Sequence, residues 1–397
     1  MADYVAGAPD RAARLPLWPA LDQRLVVALI AAALLGLVMV ASTSTSVAER
    51  ATGDPFYYLE RQALFVVLAA GVAAAVLQAP LSLWERNGPG LVLVALGLLL
   101  LVLIPGVGQE VNDARRWLPL GVLNVQVAEP VKVLVAIYVA GFLVRRQRQL
   151  HTSMWAFLAP VAVAGACAFL LLCQPDFGTA AMLMAVVGGL LYLAGVPLWR
   201  FAALVAVLAG VAASLVLYSP YRWERVTAFM DPWSDPFNTG FQLTQSLIAI
   251  GRGGWLGVGL GGSVQKLFYL PEAHTDFVFS VLAEELGLLG VTTVLLLFAY
   301  IVWRAMALGW QCHRHRLPFA GYLAWALGLV LGLQAFINMG VATGLLPTKG
   351  LTLPLFSYGG SSAVVTGAMV GLLLRCGYEL AQARADGVRP IDAEEGA

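Results

Sequence analysis

One stretch gathers the residues that could do chemistry. From Gln265 to Glu285 the chain reads QKLFYLPEAHTDFVFSVLAEE. A proline-marked loop carries Glu272, His274 and Asp276, then runs into a long apolar segment that contains Glu284 and Glu285. Ionisable groups at the mouth of an apolar helix are costly, and they mark substrate or ion paths. An ionised Asp276 could act as a general base or a metal ligand. Thr275 or Asp276 could equally cap the helix that follows, and the helix dipole would then keep Asp276 ionised. Glu284 and Glu285 lie about 12–13 Å further along that helix at 1.5 Å per residue, where they need partners or a wet cavity.

Two other polar groups interrupt apolar sequence. Asn112 to Lys132 reads NDARRWLPLGVLNVQVAEPVK, with Arg115 and Arg116 in a loop and Glu129 and Lys132 three apart where a span begins. Residues three apart share a helix face, so Glu129 and Lys132 could form an internal ion pair. Arg116 and Lys132 could instead line a site for phosphate oxygens, which suit planar guanidinium and point-charge ammonium donors. The second group is QPDFGT, Gln174 to Thr179. It reads either as a broken helix lining a cavity, with Asp176 facing a ligand, or as a turn with Asp176 as an N-cap.

The elements that position these groups follow from composition. Of the 397 residues, 60% are hydrophobic and only 12% are charged. Soluble domains carry roughly 25% charged residues, so this is a polytopic membrane protein. Its apolar runs are continuous rather than alternating, which selects an all-α helix bundle over a barrel. About ten transmembrane spans are expected, near 23–46, 60–81, 90–106, 127–144, 153–173, 178–195, 198–218, 276–304, 318–344 and 360–382. The first is a retained signal-anchor helix. The chain is expected to be a single membrane domain over 1–397, with tails at 1–22 and 383–397 and a large outer loop at 219–275. Within that loop, Phe241 to Ile250 could lie flat in the interface. The Gly-rich run Gly251 to Gly262 follows no strand, so flexible backbone or tight packing fits it better than a nucleotide cradle.

Lysine and arginine set the orientation. Both termini are expected in the cytoplasm, because 14 of the 24 basic residues fall on that side. The other ten are Arg50, Arg61, Arg115, Arg116, Lys132, Arg222, Arg225, Arg252, Lys266 and Lys349, and they include all three lysines. The positive-inside bias disfavours that placement, which points to an anionic ligand at the outer face. The cysteines Cys167, Cys173, Cys312 and Cys376 imply no disulfide framework. No P-loop, HExxH, CxxC or GxSxG pattern is present, which disfavours an ATP-driven pump and any nucleotide cofactor.

Asn338 to Ser362, NMGVATGLLPTKGLTLPLFSYGGSS, resembles the signature of the SEDS family (shape, elongation, division and sporulation proteins: RodA, FtsW and SpoVE). HTDF, QPDFGT and the ARRW and EPVK pieces are similar to that family too, and the resemblance spans the first span to the tenth. DPWSDPFNTGFQLTQSLIAIGRGG and LPEAHTDF resemble its division branch in Gram-negative bacteria. In AEPVK the family more often has a small polar residue or Ala after Pro, but the Glu and Lys keep their spacing. The resemblance implies a peptidoglycan glycosyltransferase that polymerises lipid II at the outer face of the bacterial inner membrane, at the division septum. It carries the family's required aspartate onto Asp276, its loop arginine onto Arg116, and its span glutamate and lysine onto Glu129 and Lys132. Asp176, His274, Lys349, Ser357 and Ser361 are expected beside the substrate. A divalent cation, Mg²⁺ or Mn²⁺, is implied, with its ligands unassigned. Implied partners are lipid II, an FtsI-like class B penicillin-binding protein, and the divisome proteins FtsQ, FtsL and FtsB, with no nucleic acid. A lipid II flippase and a non-catalytic division scaffold are the alternatives.

Overall fold

A computed structural model describes residues 15–111, 114–119, 121, 124–348 and 350–391, and the side chains of 111 and 220–222 are not considered. The helices are α1 (Leu17–Ala20), α2 (Gln23–Thr52), α3 (Tyr57–Gln78), α4 (Leu81–Leu103), α5 (Ala128–Arg146), α6 (Met154–Cys173) and α7 (Phe177–Leu193). They continue as α8 (Leu198–Leu217), α9 (Pro220–Met230), α10 (Phe241–Gly253), α11 (Val278–Arg314), α12 (Pro318–Ala342) and α13 (Gly360–Ala385). Each of the ten expected spans has a helix. Eight of them are long and apolar enough to cross a membrane; α7 is shorter, and α5 carries Glu129, Lys132, Arg145 and Arg146. The chain is a multi-pass membrane protein. α4 starts nine residues earlier than the apolar run suggests, because Trp84–Pro89 continues the helix through polar residues.

α5, α7 and α12 bury most of their length, while α8 buries only Arg200 and Leu204. α3 and α13 pack closely because Gly367 and Gly371 form a GxxxG pair. A Cβ on either would stand 2.3 or 2.5 Å from the carbonyl of Ala69 or Ala73.

One feature escaped the apolar-run reading. β1 (Gln109–Val111), β2 (Ala114–Pro119) and β3 (Asn124–Gln126) form an antiparallel sheet in the order β1-β2-β3. Strands this short carry too little periodicity to register against the spans around them. The sheet is continuous with α5, since Val127 N–H donates to the Arg116 carbonyl at 3.2 Å.

The loop before α11 does not simply lie in the interface. α10 wedges against α11 and α12: Ser246 Oγ is 2.6 Å from both Ser280 Oγ and the Ala342 carbonyl. The Gly-rich run then folds back along a break in α11, where Gly287 leaves helical geometry at φ 61°. Val258 and Gly259 N–H donate to the carbonyls of Glu284 and Glu285, and Leu288 N–H donates to Gly254, at 2.9–3.0 Å. Gly257, at φ +80°, lies where a Cβ would sit 2.1 Å from the Glu285 carbonyl. Gly253 and Gly257 therefore serve close backbone packing against α11, while Gly254, Gly259 and Gly261 supply positive φ.

Candidate active site

The α11 mouth is assembled by four separate parts of the chain. Asp276 precedes the helix but does not cap it. The N-cap is Phe277, and no side chain bonds the first turn. Thr275 instead turns back, its Oγ1 donating to Glu272 Oε2 at 2.7 Å. Among the described residues the Asp276 carboxylate has no hydrogen-bond partner, and Gly350 lies so close that its Cβ would be 3.0 Å from Oδ2.

That setting reverses the expectation of a carboxylate kept ionised by the helix dipole. Burial pushes the Asp276 carboxyl up to about 7, and the nearby Glu272 carboxylate adds to the rise. Ordinary aspartates titrate near 4. The side chain is therefore poised to change protonation near neutrality, which suits a general base.

The backbone of Asp276 is held from α12. Asn338 Nδ2 donates to the Asp276 carbonyl at 2.8 Å and to the Leu351 carbonyl at 2.7 Å. One helical turn earlier, Gln334 Nε2 donates to the Thr352 carbonyl at 3.0 Å, and its Oε1 accepts from Lys132 Nζ at 2.8 Å. Lys132 Nζ also donates to Glu129 Oε1 at 2.9 Å. A continuous polar line thus runs from Glu129 through Lys132 and Gln334 to the Leu351–Thr352 backbone, and through Asn338 to Asp276. Gln334 and Asn338 had no assigned role in the sequence. Their spacing of four, facing inward on an apolar helix, was the available signal.

The remaining expected site residues divide by what they touch. Lys132 is fully buried and Glu129 nearly so, so both form the internal pair rather than an open lining. Arg116 spans from β2 to the α6–α7 turn, donating to the carbonyls of Gln174 and Pro175 at 2.8 Å each. Carbonyls leave its positive charge in place. Asp176 caps α7, accepting from Thr179 N–H at 3.0 Å and Thr179 Oγ1 at 2.7 Å. His274 packs its ring against Tyr58 and Tyr358, with centroids 5.2 and 5.8 Å away, and its buried Nδ1 has no partner among the described residues. Burial lowers the His274 pKa, and Glu272 opposes that shift. Ser357 Oγ accepts from Leu353 N–H at 2.8 Å, which fixes the signature loop, and Ser361 is buried in the first turn of α13. Gln62 ties that loop to α3 through Ser357 and Gly359. Lys349 lies outside the described residues.

The surplus of outer-side cations is mostly consumed locally. Arg115 pairs with Glu110, Arg252 with Glu284 and Lys266 with Glu285. Arg50 lies over the Phe268 ring, and Arg61 binds the Tyr57 hydroxyl. Charge count alone therefore does not report a ligand, because most of these cations hold the outer loops together.

Glu284 and Glu285 are the clearest instance. Both are fully buried. Glu284 accepts from Arg252, from Val264 N–H at 3.1 Å and from the Ser263 hydroxyl. Glu285 accepts from Lys266 Nζ and from Ser42 Oγ, both at 2.7 Å. They clasp the returning loop to α11 and α2 and line no open path. Glu285→Ala should leave Lys266 buried without its carboxylate, a loss of about 3–5 kcal/mol. Limited proteolysis should then cut the 254–271 segment faster than in the unsubstituted protein, and unchanged cleavage would show that the clasp carries little.

Among the described residues no group of three His, Cys, Asp or Glu is arranged to hold a metal. Glu272 and Asp276 are the two carboxylates at the mouth. Mg²⁺ usually binds one or two carboxylates together with substrate phosphates, so the donor set fits a cation shared with substrate.

Comparison with known proteins gives a consistent picture. The family model for the FtsW/RodA/SpoVE cell cycle proteins matches residues 23–382. A relative from Halorhodospira halophila, named "Probable peptidoglycan glycosyltransferase FtsW", is 79% identical over 99% of this chain and 100% of its own. A relative of the same name from Alkalilimnicola ehrlichii is 60% identical over 91% of this chain and 90% of its own. Among solved structures, a chain from a peptidoglycan synthase complex that coordinates polymerization and crosslinking superposes with a TM-score of 0.75 at 32% identity, covering 91% of this chain and 99% of that one. The rod shape determining protein RodA of Thermus thermophilus gives a TM-score of 0.66 at 30% identity, covering 91% and 98%.

Proposed function

As the chain belongs to the FtsW/RodA/SpoVE family of cell cycle proteins, we propose that it is a peptidoglycan glycosyltransferase of cell division that polymerises lipid II, with Asp276 as the general base. The observation that carries the site is the partially buried carboxylate of Asp276, unpartnered among the described residues and held by its backbone at the mouth of α11.

The 4-hydroxyl of one lipid II sugar attacks the anomeric carbon of the growing strand. Its proton passes to Asp276 as the new C–O bond forms. The bond between that carbon and the pyrophosphate oxygen breaks, and the lipid pyrophosphate leaves with the electron pair. Direct displacement inverts the anomeric centre. Negative charge grows on the leaving phosphates and is stabilised by fixed cations. Arg116, which keeps its charge, serves that role among the described residues, and Lys349 is the second candidate. Lys132 acts at one remove, by fixing Gln334 and through it the Thr352 backbone of the signature loop. A divalent cation held by Glu272, Asp276 and substrate phosphates would offset the same charge.

The protein works in the bacterial inner membrane at the septum, with both termini in the cytoplasm and Asp276 at the outer face. A class B penicillin-binding protein crosslinks the strands it makes, and FtsQ, FtsL and FtsB assemble with the pair. Purified protein given lipid II, the transpeptidase and Mg²⁺ should produce glycan strands. Lipid II crossing a vesicle bilayer with no polymer formed would overturn the polymerase reading in favour of transport.

The pH profile follows from the sign of the shift. A carboxyl raised to about 7 is protonated below that pH and is then no base. Turnover at limiting cation should rise about tenfold per pH unit up to near 7 and level off above it. Added Mg²⁺ should move the inflection lower, because an adjacent positive charge favours the carboxylate. A rate flat from pH 5 to 8 at limiting cation would remove Asp276 as the titrating base.

A further inference from the structure

We propose that the seam between α2 and α11 holds an anionic phospholipid, its phosphate in a cationic cavity at the end opposite Asp276 and one hydrocarbon chain in the apolar groove beside it. The two helices are pinned at two levels. Near the end opposite Asp276, Arg304 Nε donates to Asp22 Oδ2 at 3.0 Å. Near the Asp276 end, Ser42 Oγ donates to Glu285, which Lys266 also binds. Between the pins the two helices flank an open groove of about 690 Å³, lined by Leu35 of α2 and by Leu297, Tyr300 and Trp303 of α11.

A second cavity, of about 400 Å³, is lined by Asp22 and Arg24 at the start of α2 and by Arg304 of α11, the residue after the groove's Trp303. Arg24, Arg304 and Arg384 line it, and Asp22 is its one acid among the described residues, so three positive charges less one negative leave +2. Arg304 is paired with Asp22, Arg384 donates to the neutral amide oxygen of Gln311 at 2.7 Å, and Arg24 is exposed. Guanidinium groups hold phosphate oxygens in bidentate fashion. A zwitterionic headgroup would bring its own ammonium against the same cations, whereas an anionic one would not. Basic pockets between membrane helices take anionic headgroups for this reason.

The dimensions match one lipid leaflet. Thr293 and Trp303 bound the groove on α11, ten residues apart. That is about 15 Å at 1.5 Å per residue, half of a hydrocarbon core of about 30 Å. Trp18 beside α2, and Trp303 and Trp310 of α11 flanking Arg304 in sequence, are 66%, 58% and 54% exposed. Exposed tryptophans gather at the headgroup level, which places the cavity at that depth. The site is separate from the sugar chemistry, which lies at the other end of α11.

The test uses the full-length protein in nanodiscs of equal parts phosphatidylglycerol and phosphatidylcholine, with retained lipid read by native mass spectrometry. The unsubstituted protein should retain phosphatidylglycerol over phosphatidylcholine by about tenfold, because both lipids carry the phosphate but only the zwitterionic one brings an ammonium against the arginines. The R24Q/R384Q double variant, which keeps the Asp22–Arg304 pair, should bring the two lipids to parity. L35W, which fills the groove and leaves the cations in place, should lose the bound lipid. Equal retention of the two lipids by the unsubstituted protein, or unchanged selectivity in R24Q/R384Q, would overturn the proposal. Unchanged retention in L35W would overturn the part played by the groove, as would displacement of the lipid by inorganic phosphate alone.

Discussion

Asp276→Ala and Asp276→Asn are expected to lower lipid II polymerisation by about 10²–10⁴-fold, the usual contribution of a positioned general base. Their folding should be intact, and the sign of the pKa shift says why. A carboxyl raised to about 7 holds its proton more tightly in the folded protein than in the unfolded chain. The stability it contributes is then fully present below pH 4 and is lost as pH rises through 7. Above neutrality the folded protein carries a partially buried negative charge with no hydrogen-bond partner among the described residues. Asparagine removes that charge and keeps the shape. Asp276→Asn should therefore bind the transpeptidase partner and unfold at the same temperature or higher at pH 8, while forming no strands. The paired measurements are polymerisation of purified lipid II and thermal unfolding in detergent. Strand synthesis at the unsubstituted rate would sink Asp276 as base. A large loss of melting temperature would make it a structural residue instead.

Lys132→Met is expected to be severe for a different reason. Lys132 is fully buried, bonded to Glu129 and Gln334, while Glu129 Oε2 already lacks a partner among the described residues. Removing the ammonium strands a buried carboxylate, at about 3–5 kcal/mol. It also frees Gln334, which holds the Thr352 carbonyl beside the residues packed on Asp276. Glu129→Gln combined with Lys132→Met removes both charges, so much of the stability should return. If Lys132 only positions the loop, turnover should partly return with it. Thermal unfolding and polymerisation of the two single variants and the double variant separate the possibilities. A Lys132→Met protein of unchanged stability with no turnover would place the ammonium on the substrate itself and end the positioning account.

The apolar runs alone determined the membrane class, the helical fold and the location of a helix at each of the ten expected spans, eight of them long and apolar enough to cross a membrane. A continuous run of about 20 apolar residues admits few other structures in a bilayer, so that information is local. Local pattern also singled out the stretch from Gln265 to Glu285, and the Asn338–Ser362 signature placed it in its family. Pairing within one helix was legible, as Glu129 with Lys132 shows, but pairing between distant segments was not. Ten basic residues on one side looked like a lining for an anion, yet Arg115, Arg252 and Lys266 each meet a carboxylate. Lys266 and Glu285 are 19 positions apart, and Lys132 and Gln334 are 202 apart. No periodicity encodes contacts of that kind. Asp276 shows the division most clearly. The sequence placed a carboxylate at a helix mouth, where the dipole favours the ionised form. The tertiary structure left the first turn uncapped by it, packed Gly350 against it and set Glu272 nearby. Burial and a like charge outweigh the dipole, because desolvation acts on the whole carboxylate while the dipole of one helix end is worth about a kcal/mol or less. Only the folded chain could decide that balance, since it depends on groups brought in from α12 and the signature loop.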